Sequence, residues 1–185
     1  MMSETFLPID VVITLAPASI AHIPAITAIY AEAVVHGTAS WELDPPDTAE
    51  MARRMADIQA RGYPYLVALA GAQVAGYAYA SAYRPRPGYR FTVEDSVYVA
   101  PAWQGHGIGR RLLAALIDAT TQEGYRQMIA VIGDSGNIAS IALHATLGFA
   151  HAGLLRSVGF KHGRWLDGVL MQRALGDGNG TLPGE

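Results

Sequence analysis

The sequence predicts a mixed α/β fold in which one sheet is flanked by helices. Three observations carry that expectation. The chain has 185 residues, about half of them hydrophobic, which suits one domain with a sizeable core. Strand-like and helix-like periodicities follow one another in the order β-α-α-β-β-β-α-β-α-β-β, the pattern of helices packed on a sheet. The apolar run Ser96-Val97-Tyr98-Val99 leads through a glycine-rich loop directly into a leucine-rich helical stretch.

Each element has its own local reason. Val11 to Leu15 reads as a short strand. Pro17 and Ser19 suit a helix start, and Ile23, Ile26, Tyr30 and Val34 share one apolar face before His36-Gly37 ends it. Asp47, with Glu50 three residues on, has the form of a capping box for a helix reaching about Arg61. Tyr65 to Ala70 and Val74 to Tyr83 are strands about a Gly71-Ala72 turn, with Gly76 marking a possible bulge. Arg84-Pro85-Arg86-Pro87-Gly88 must be a loop, because two prolines break a ladder. Phe91 to Val99 is a strand, and the helix after the glycines runs to about Glu123 before Gly124. Met128 to Ile132 is a strand, and Asn137 to Leu147 a short helix closed by Gly148. Phe149 to Leu155 and Trp165 to Ala174 form a final antiparallel pair joined by a loop over 159–163. Residues 1–10 are expected to be a flexible N-terminus, 11–175 the domain, and 176–185, rich in Gly, Asp, Asn and Pro, a disordered tail.

The loop Gln104-Gly105-His106-Gly107-Ile108-Gly109-Arg110 carries the clearest chemistry. Glycines before a helix N-terminus let bare N–H groups approach an anion, so a phosphorylated ligand is expected. Its spacing excludes two ligand classes. A dinucleotide fingerprint would need glycine where Arg110 stands, and no Lys-Ser or Lys-Thr follows to make a P-loop. What remains is Q-x-x-G-x-G; the plainer reading is a turn with no ligand.

Composition excludes more. Net charge is −3 without a basic stripe, which argues against nucleic acid. No apolar run reaches the roughly 18 residues of a membrane helix, and Met1 to Asp10 lacks the form of a signal peptide. With no cysteine there is neither disulfide nor thiol nucleophile, and a cytoplasmic location is expected. The histidines are scattered without a ligand motif, so no metal is expected.

The strand Val97-Tyr98-Val99, the Gln104-x-x-Gly107-x-Gly109 loop and its helix resemble the acetyl-CoA motif of the GCN5-related N-acetyltransferases. Asn137, seven residues before His144, and Gly148-Phe149 resemble the next motif of that superfamily. The stretches 92–99, 130–133, 144–149 and 158–165 are similar to its phosphinothricin and methionine sulfoximine N-acetyltransferase branch, and the likeness spans Ile13 to Leu175.

The resemblance implies a single mixed, mostly antiparallel central sheet, acetyl-CoA as co-substrate, no metal, a small-molecule amine as acceptor, and a homodimer. It places the CoA pyrophosphate on the amides of Gly105, His106, Gly107, Ile108, Gly109 and Arg110, beside Gln104. Pantetheine would lie along Val97, Tyr98 and Val99 and touch Asn137, although the valines serve the sheet in any case and Asn137 also suits a helix cap. Glu94 would be the general base, as a partly buried carboxylate has a raised pKa; a salt bridge to Arg84, Arg86 or Arg90 is the alternative. His144 stands where many relatives carry a tyrosine acid, and it would act as acid or second base unless it is a core histidine. Arg84, Pro85, Arg86 and Tyr89, with Glu94, Asp95 and Ser96, would bind the acceptor, since two guanidinium groups suit carboxylate or phosphinate oxygens. Trp41 would wall that pocket, and Lys161-His162 would reach a neighbouring protomer's site. Other acceptors, such as a peptide N-terminus or a polyamine, and a non-catalytic acyl-CoA-binding role remain as alternatives.

Overall fold

The computed structural model describes residues 11–183; the expectation of a flexible segment over 1–10 lies outside them. Seven strands form one sheet in the order β1-β2-β3-β4-β5-β7-β6. They are β1 (Ile13–Pro17), β2 (Tyr65–Ala70), β3 (Gln73–Ala82), β4 (Thr92–Val99), β5 (Gln127–Gly133), β6 (Ala150–Lys161) and β7 (Arg164–Ala174). All neighbours are antiparallel except β4 and β5. Four helices flank the sheet: α1 (Ile23–His36), α2 (Thr48–Ala60), α3 (Ile108–Gln122) and α4 (Ile138–Thr146). The expected element order and mixed, mostly antiparallel sheet are therefore found.

Two cores lie on opposite faces. One gathers Ile26, Tyr30 and Val34 of α1 and Met51 and Met55 of α2 over Tyr65, Val67 and Tyr77. The other packs Leu112, Leu113 and Leu116 of α3 onto Ala78, Ala80, Val93, Met128 and Ala130. Small residues on the middle strands let the leucines sit close, and each buried leucine contributes about 1.5–3 kcal/mol.

Local signals explain the helix ends. The Asp47 side chain accepts from the Glu50 amide at 2.8 Å, half of the capping box that the spacing predicts. The other half is missing because the Glu50 carboxylate turns to Arg53 and Arg54. Asn137 caps α4 by accepting from the Ser140 amide at 3.2 Å. The bulge expected near Gly76 is present, with Ala75 having no partner in the register between β2 and β3.

One expectation is corrected, the extent of the last strand pair. β6 does not stop near Leu155 but continues to Lys161, so the 159–163 loop is only a tight His162-Gly163 turn. Both turn residues have positive φ, which suits a two-residue hairpin, and Phe160 packs edge-on against Trp165 across it. The tip of the hairpin docks on its own chain: Lys161 Nζ donates to the Ser40 carbonyl at 2.8 Å, and His162 Nε2 to that of Gly37 at 3.1 Å. Residues 176–179 form turns and 180–181 a bend, and Arg126 donates to Thr181 Oγ1 at 3.0 Å and to the Leu182 carbonyl at 3.3 Å.

The Trp41 ring lies against Gly159, where an added Cβ would fall 2.1 Å from the ring. Gly159→Ala is expected to expel Trp41 and to cost roughly 1–3 kcal/mol, the usual range for overpacking. A lower urea midpoint with red-shifted tryptophan emission checks this.

Candidate active site

β4 and β5 pair over only three positions, Thr92 with Gln127, Val93 with Met128 and Glu94 with Ile129. Beyond Glu94 they part. The Ala100 amide bonds the Ala75 carbonyl on the β3 side, so alternation along the strand turns the backbone groups of Val97 and Val99 the other way, into the gap. Side chains alternate likewise. Val97 and Val99 face α3, whereas Glu94, Ser96 and Tyr98 face α1.

A cleft of about 900 Å³ fills one side of this gap, bordered by Val97 to Val99, the glycine loop, Asn137 and Ser140. Gly105 and Gly107 have φ of 76° and 74°, which other residues adopt only with strain. Gly107 N-caps α3, so the amides of Ile108, Gly109 and Arg110 have no earlier turn to bond. Gly109 serves packing instead: a Cβ there would meet Leu143 at 3.3 Å and Val99 at 3.6 Å. Gln104 Nε2 reaches the Val99 carbonyl at 3.4 Å, and the His106 ring turns to the Gln104 carbonyl at 2.7 Å. The loop is thus a helix N-terminus with bare amides at one mouth of the gap.

A second pocket, of about 250 Å³, spans the same gap: Glu94, Ser96, Tyr30, Tyr79 and Glu42 border it on the α1 side, and Asn137, Ser140 and His144 on the α4 side. Burial, with the neighbouring charge of Asp95, pushes the Glu94 carboxyl up to about 7, against a smaller opposing effect of Arg84. The site therefore presents a bare-amide anion cradle, a strand edge with free backbone groups, and a carboxylate poised to take a proton near neutrality.

A family model described as "Acetyltransferase (GNAT) family" matches residues 26–149. The chain belongs to the GNAT acetyltransferase family. It is 58% identical over 161 residues to the phosphinothricin N-acetyltransferase of Alcaligenes faecalis, covering 87% of this chain and 82% of that one. It is 48% identical to the L-methionine sulfoximine/L-methionine sulfone acetyltransferase of Pseudomonas aeruginosa, over 85% and 92% of the two chains. The crystal structure of a GNAT superfamily phosphinothricin acetyltransferase from Sinorhizobium meliloti, in complex with acetyl-CoA, superposes with a TM-score of 0.91 at 52% identity, covering 94% of each chain.

Within this GNAT site the predicted residues separate. Val97, Tyr98, Val99, Gln104, Gly105, Gly107, Ile108, Gly109, Arg110 and Asn137 border one cleft, while His106 turns aside to Gln104. Asp95, expected to bind acceptor, points to the α4 side because neighbouring strand residues face opposite ways. There it meets His144, with Nε2 3.0 Å from Asp95 Oδ2, and both residues are buried. His144 Nδ1 donates to the Ser140 carbonyl at 2.7 Å. A neutral imidazole has one N–H, so a ring facing an acceptor at each nitrogen is an imidazolium paired with the carboxylate, the arrangement that best satisfies both. Burial by itself would pull the His144 pKa down, but the Asp95 hydrogen bond and charge carry it up overall. His144 also borders the pocket that holds Glu94. Releasing the Nε2 proton would set its lone pair against Asp95.

Arg84, Pro85, Arg86 and Tyr89 are exposed on the loop joining β3 to β4, at the Glu94 end of the site and outside the pocket itself. Arg84 lies over the Tyr83 ring, 5.1 Å from its centroid. The pocket wall that sequence reasoning missed is Tyr30, Ser40, Glu42 and Tyr79. Tyr30 Oη donates to Glu42 Oε1 at 3.0 Å, and Arg54 Nη1 donates to the same oxygen at 2.5 Å. The alternation of Tyr77, Tyr79 and Ser81 was the available signal, since it puts all three on one face. Among the described residues no group of three or more histidines and carboxylates could hold a metal ion.

Asp95→Ala leaves a buried imidazolium unpaired and should cost about 3 kcal/mol in urea unfolding at pH 7. Asp95→Asn should cost less than half as much, because its amide can donate to a neutral imidazole. Equal losses in the two variants would remove the ion pair from the account.

Proposed function

We propose that this GNAT enzyme moves the acetyl group of acetyl-CoA to the α-amine of a small amino acid analogue of the methionine sulfoximine or phosphinothricin kind. One observation carries the reading: Glu94, unpaired and held near neutrality, faces a pocket on one side of a strand whose other edge borders the anion cradle. The acceptors that name the curated relatives support it.

In this reading the amides of Gly105 to Arg110 hold the pyrophosphate, and the Val97 and Val99 backbone pairs with pantetheine as an added strand would. Asn137 lends its free amide from the α4 cap. The acceptor enters on the α1 side of β4. Glu94 takes a proton from its ammonium, directly or through water, and the neutral amine attacks the thioester carbonyl. The Val99 N–H faces the gap, where it can donate to the oxyanion. The attacking nitrogen gives up its second proton to solvent, the C–S bond breaks as the amide is completed, and the CoA thiolate takes a proton from solvent. Arg84 and Arg86 attract the acceptor's anionic groups at the mouth. The enzyme works in the cytoplasm, where acetyl-CoA is supplied.

It does so as a homodimer. β6 is an edge strand with almost every residue exposed, and it displays Leu154, Leu155, Val158 and Phe160. A long apolar edge invites pairing with another chain, and a second copy of the same strand satisfies it symmetrically. Light scattering at tens of micromolar is expected to give a dimer mass, and Leu154→Glu with Val158→Glu a monomer; a monomeric wild type would reject this arrangement.

Thiol release from acetyl-CoA should appear with methionine sulfoximine. Glu94→Gln should lower kcat by at least about 100-fold, the usual share of a general base, with acetyl-CoA affinity kept. kcat/KM of the wild type should fall tenfold per pH unit below about 7, as Glu94 protonates. The same variant should also change stability. A folded pKa above the unfolded value means that stability falls as pH rises from about 4.5 to 7. Glu94→Gln should therefore stabilise by about 1–2 kcal/mol at pH 8, after allowance for solvent, and little at pH 4.5. Unchanged turnover in Glu94→Gln would remove it as the base.

A further inference from the structure

The linker that leaves α1 borders both halves of the site. Gly37, Thr38 and Ala39 line the cofactor cleft, and Ser40, Trp41 and Glu42 line the pocket of Glu94. We propose that Lys161, at the tip of the β6–β7 hairpin, is a positioning residue for the acceptor: its ammonium fixes the Ser40 carbonyl, and through Ser40 it places the Glu42 and Tyr30 side chains that wall the pocket. The proposal rests on the acetyl-transfer reading for what that pocket receives.

This linker has little structure of its own. Among the described residues, no hydrogen bond between backbone groups involves residues 38–46. Such a segment keeps one shape only where other groups satisfy and hold its backbone. Thr38 rests on the end of β5, where a Cβ on Gly133 would fall 2.0 Å from the Thr38 carbonyl oxygen. From Ser40 onward side chains do the holding.

Their bonds converge on Ser40. Its hydroxyl pairs with the Tyr30 hydroxyl at 2.9 Å and accepts from the Glu42 amide at 3.2 Å. The Tyr30 hydroxyl in turn donates to Glu42 Oε1 at 3.0 Å. A shift of the Ser40 backbone therefore moves both pocket residues together. The group that fixes that backbone is Lys161 Nζ, which donates to the Ser40 carbonyl at 2.8 Å across the molecule. His162 makes a similar bond to the Gly37 carbonyl, but it is exposed, and water can replace it.

The burial of Lys161 points the same way. An ammonium is seldom buried without a carboxylate to pair it. Lys161 is buried, and its one hydrogen bond among the described residues goes to Ser40. Burial pulls its pKa below the usual lysine value, against a smaller opposing effect of Glu42. A methionine would fill the same space with no charge to desolvate, so the bond to the linker is what the ammonium adds.

The test compares the full-length wild type with Lys161→Met, with methionine sulfoximine as acceptor. The acceptor KM is expected to rise about tenfold, with kcat within about threefold and the acetyl-CoA dissociation constant within about twofold of wild type. Ser40→Ala removes the hydroxyl that passes the position on, so the double variant should raise KM no further than the larger single effect. An acceptor KM within about twofold of wild type in Lys161→Met overturns the proposal, as do additive losses in the double variant. A Lys161→Met chain that does not fold overturns it too, since the residue would then hold the fold and not the pocket. If the wild type acetylates no amino acid, the acetyl-transfer reading falls by itself, and amide hydrogen exchange judges Lys161. Exchange across residues 37–42 that is at least about tenfold faster in Lys161→Met, with α2 unaltered, supports the proposal, and any other pattern overturns it.

Discussion

The parting of β4 from β5 after Glu94 and Ile129 is the constraint on which the rest of the site depends. A sheet interior normally satisfies every backbone group, and here two neighbouring strands stop doing so halfway along. The main-chain groups of Val97 and the Val99 N–H are left facing a gap, while the Val99 carbonyl takes a bond from Gln104 Nε2 at 3.4 Å. The molecule holds that gap open from several directions. β5 leans away to pair with β7 along its whole length. α3 is seated against β4 through Gly109. α4 is capped by Asn137 at the far side of the opening. The glycine loop is the near mouth of the same opening, so anion cradle and strand edge are two parts of one arrangement, and a ligand with a phosphate head and an amide-bearing arm fits both together.

What was legible in the sequence is what local stereochemistry dictates. Gly105 and Gly107 adopt positive φ, which glycine takes without strain, and Asp47 and Asn137 lie one turn before the amides they cap. The element order follows from periodicity. What was hidden depends on register and on contacts between distant residues. That Tyr30, Glu42 and Arg54 form one hydrogen-bonded wall requires α1, the linker and α2 to meet, and no spacing announces it. The hairpin was misjudged for a related reason. Gly159 and Gly163 look like turn residues. Only Gly163 is one, while Gly159 stays in the strand because the Trp41 ring occupies the space that its side chain would need.

That contact also links the hairpin to chemistry. Lys161 and His162 hold the carbonyls of Ser40 and Gly37, and Trp41 rests on Gly159, so residues 37–42 are pinned from outside. These are the residues that place Ser40 and Glu42 against the Tyr30 hydroxyl. A strand pair at the edge of the sheet thus sets the shape of a pocket that borders its fourth strand.

Glu94 and Asp95 show how little residue type decides. They are adjacent carboxylates with opposite fates, because the pleat of β4 sends one toward α1 and the other toward α4. Asp95 meets His144, and that pairing spends its negative charge on holding a helix. Glu94 meets tyrosines and a serine, none of which neutralises it, and burial raises its pKa to about 7. A general base must be ionised often enough to be available and basic enough to take a proton. A paired carboxylate fails the second condition, and a fully solvated one has little driving force. The strand resolves this by sending the two side chains opposite ways: Asp95 pairs with His144, while its charge contributes to the raised pKa of an unpaired Glu94.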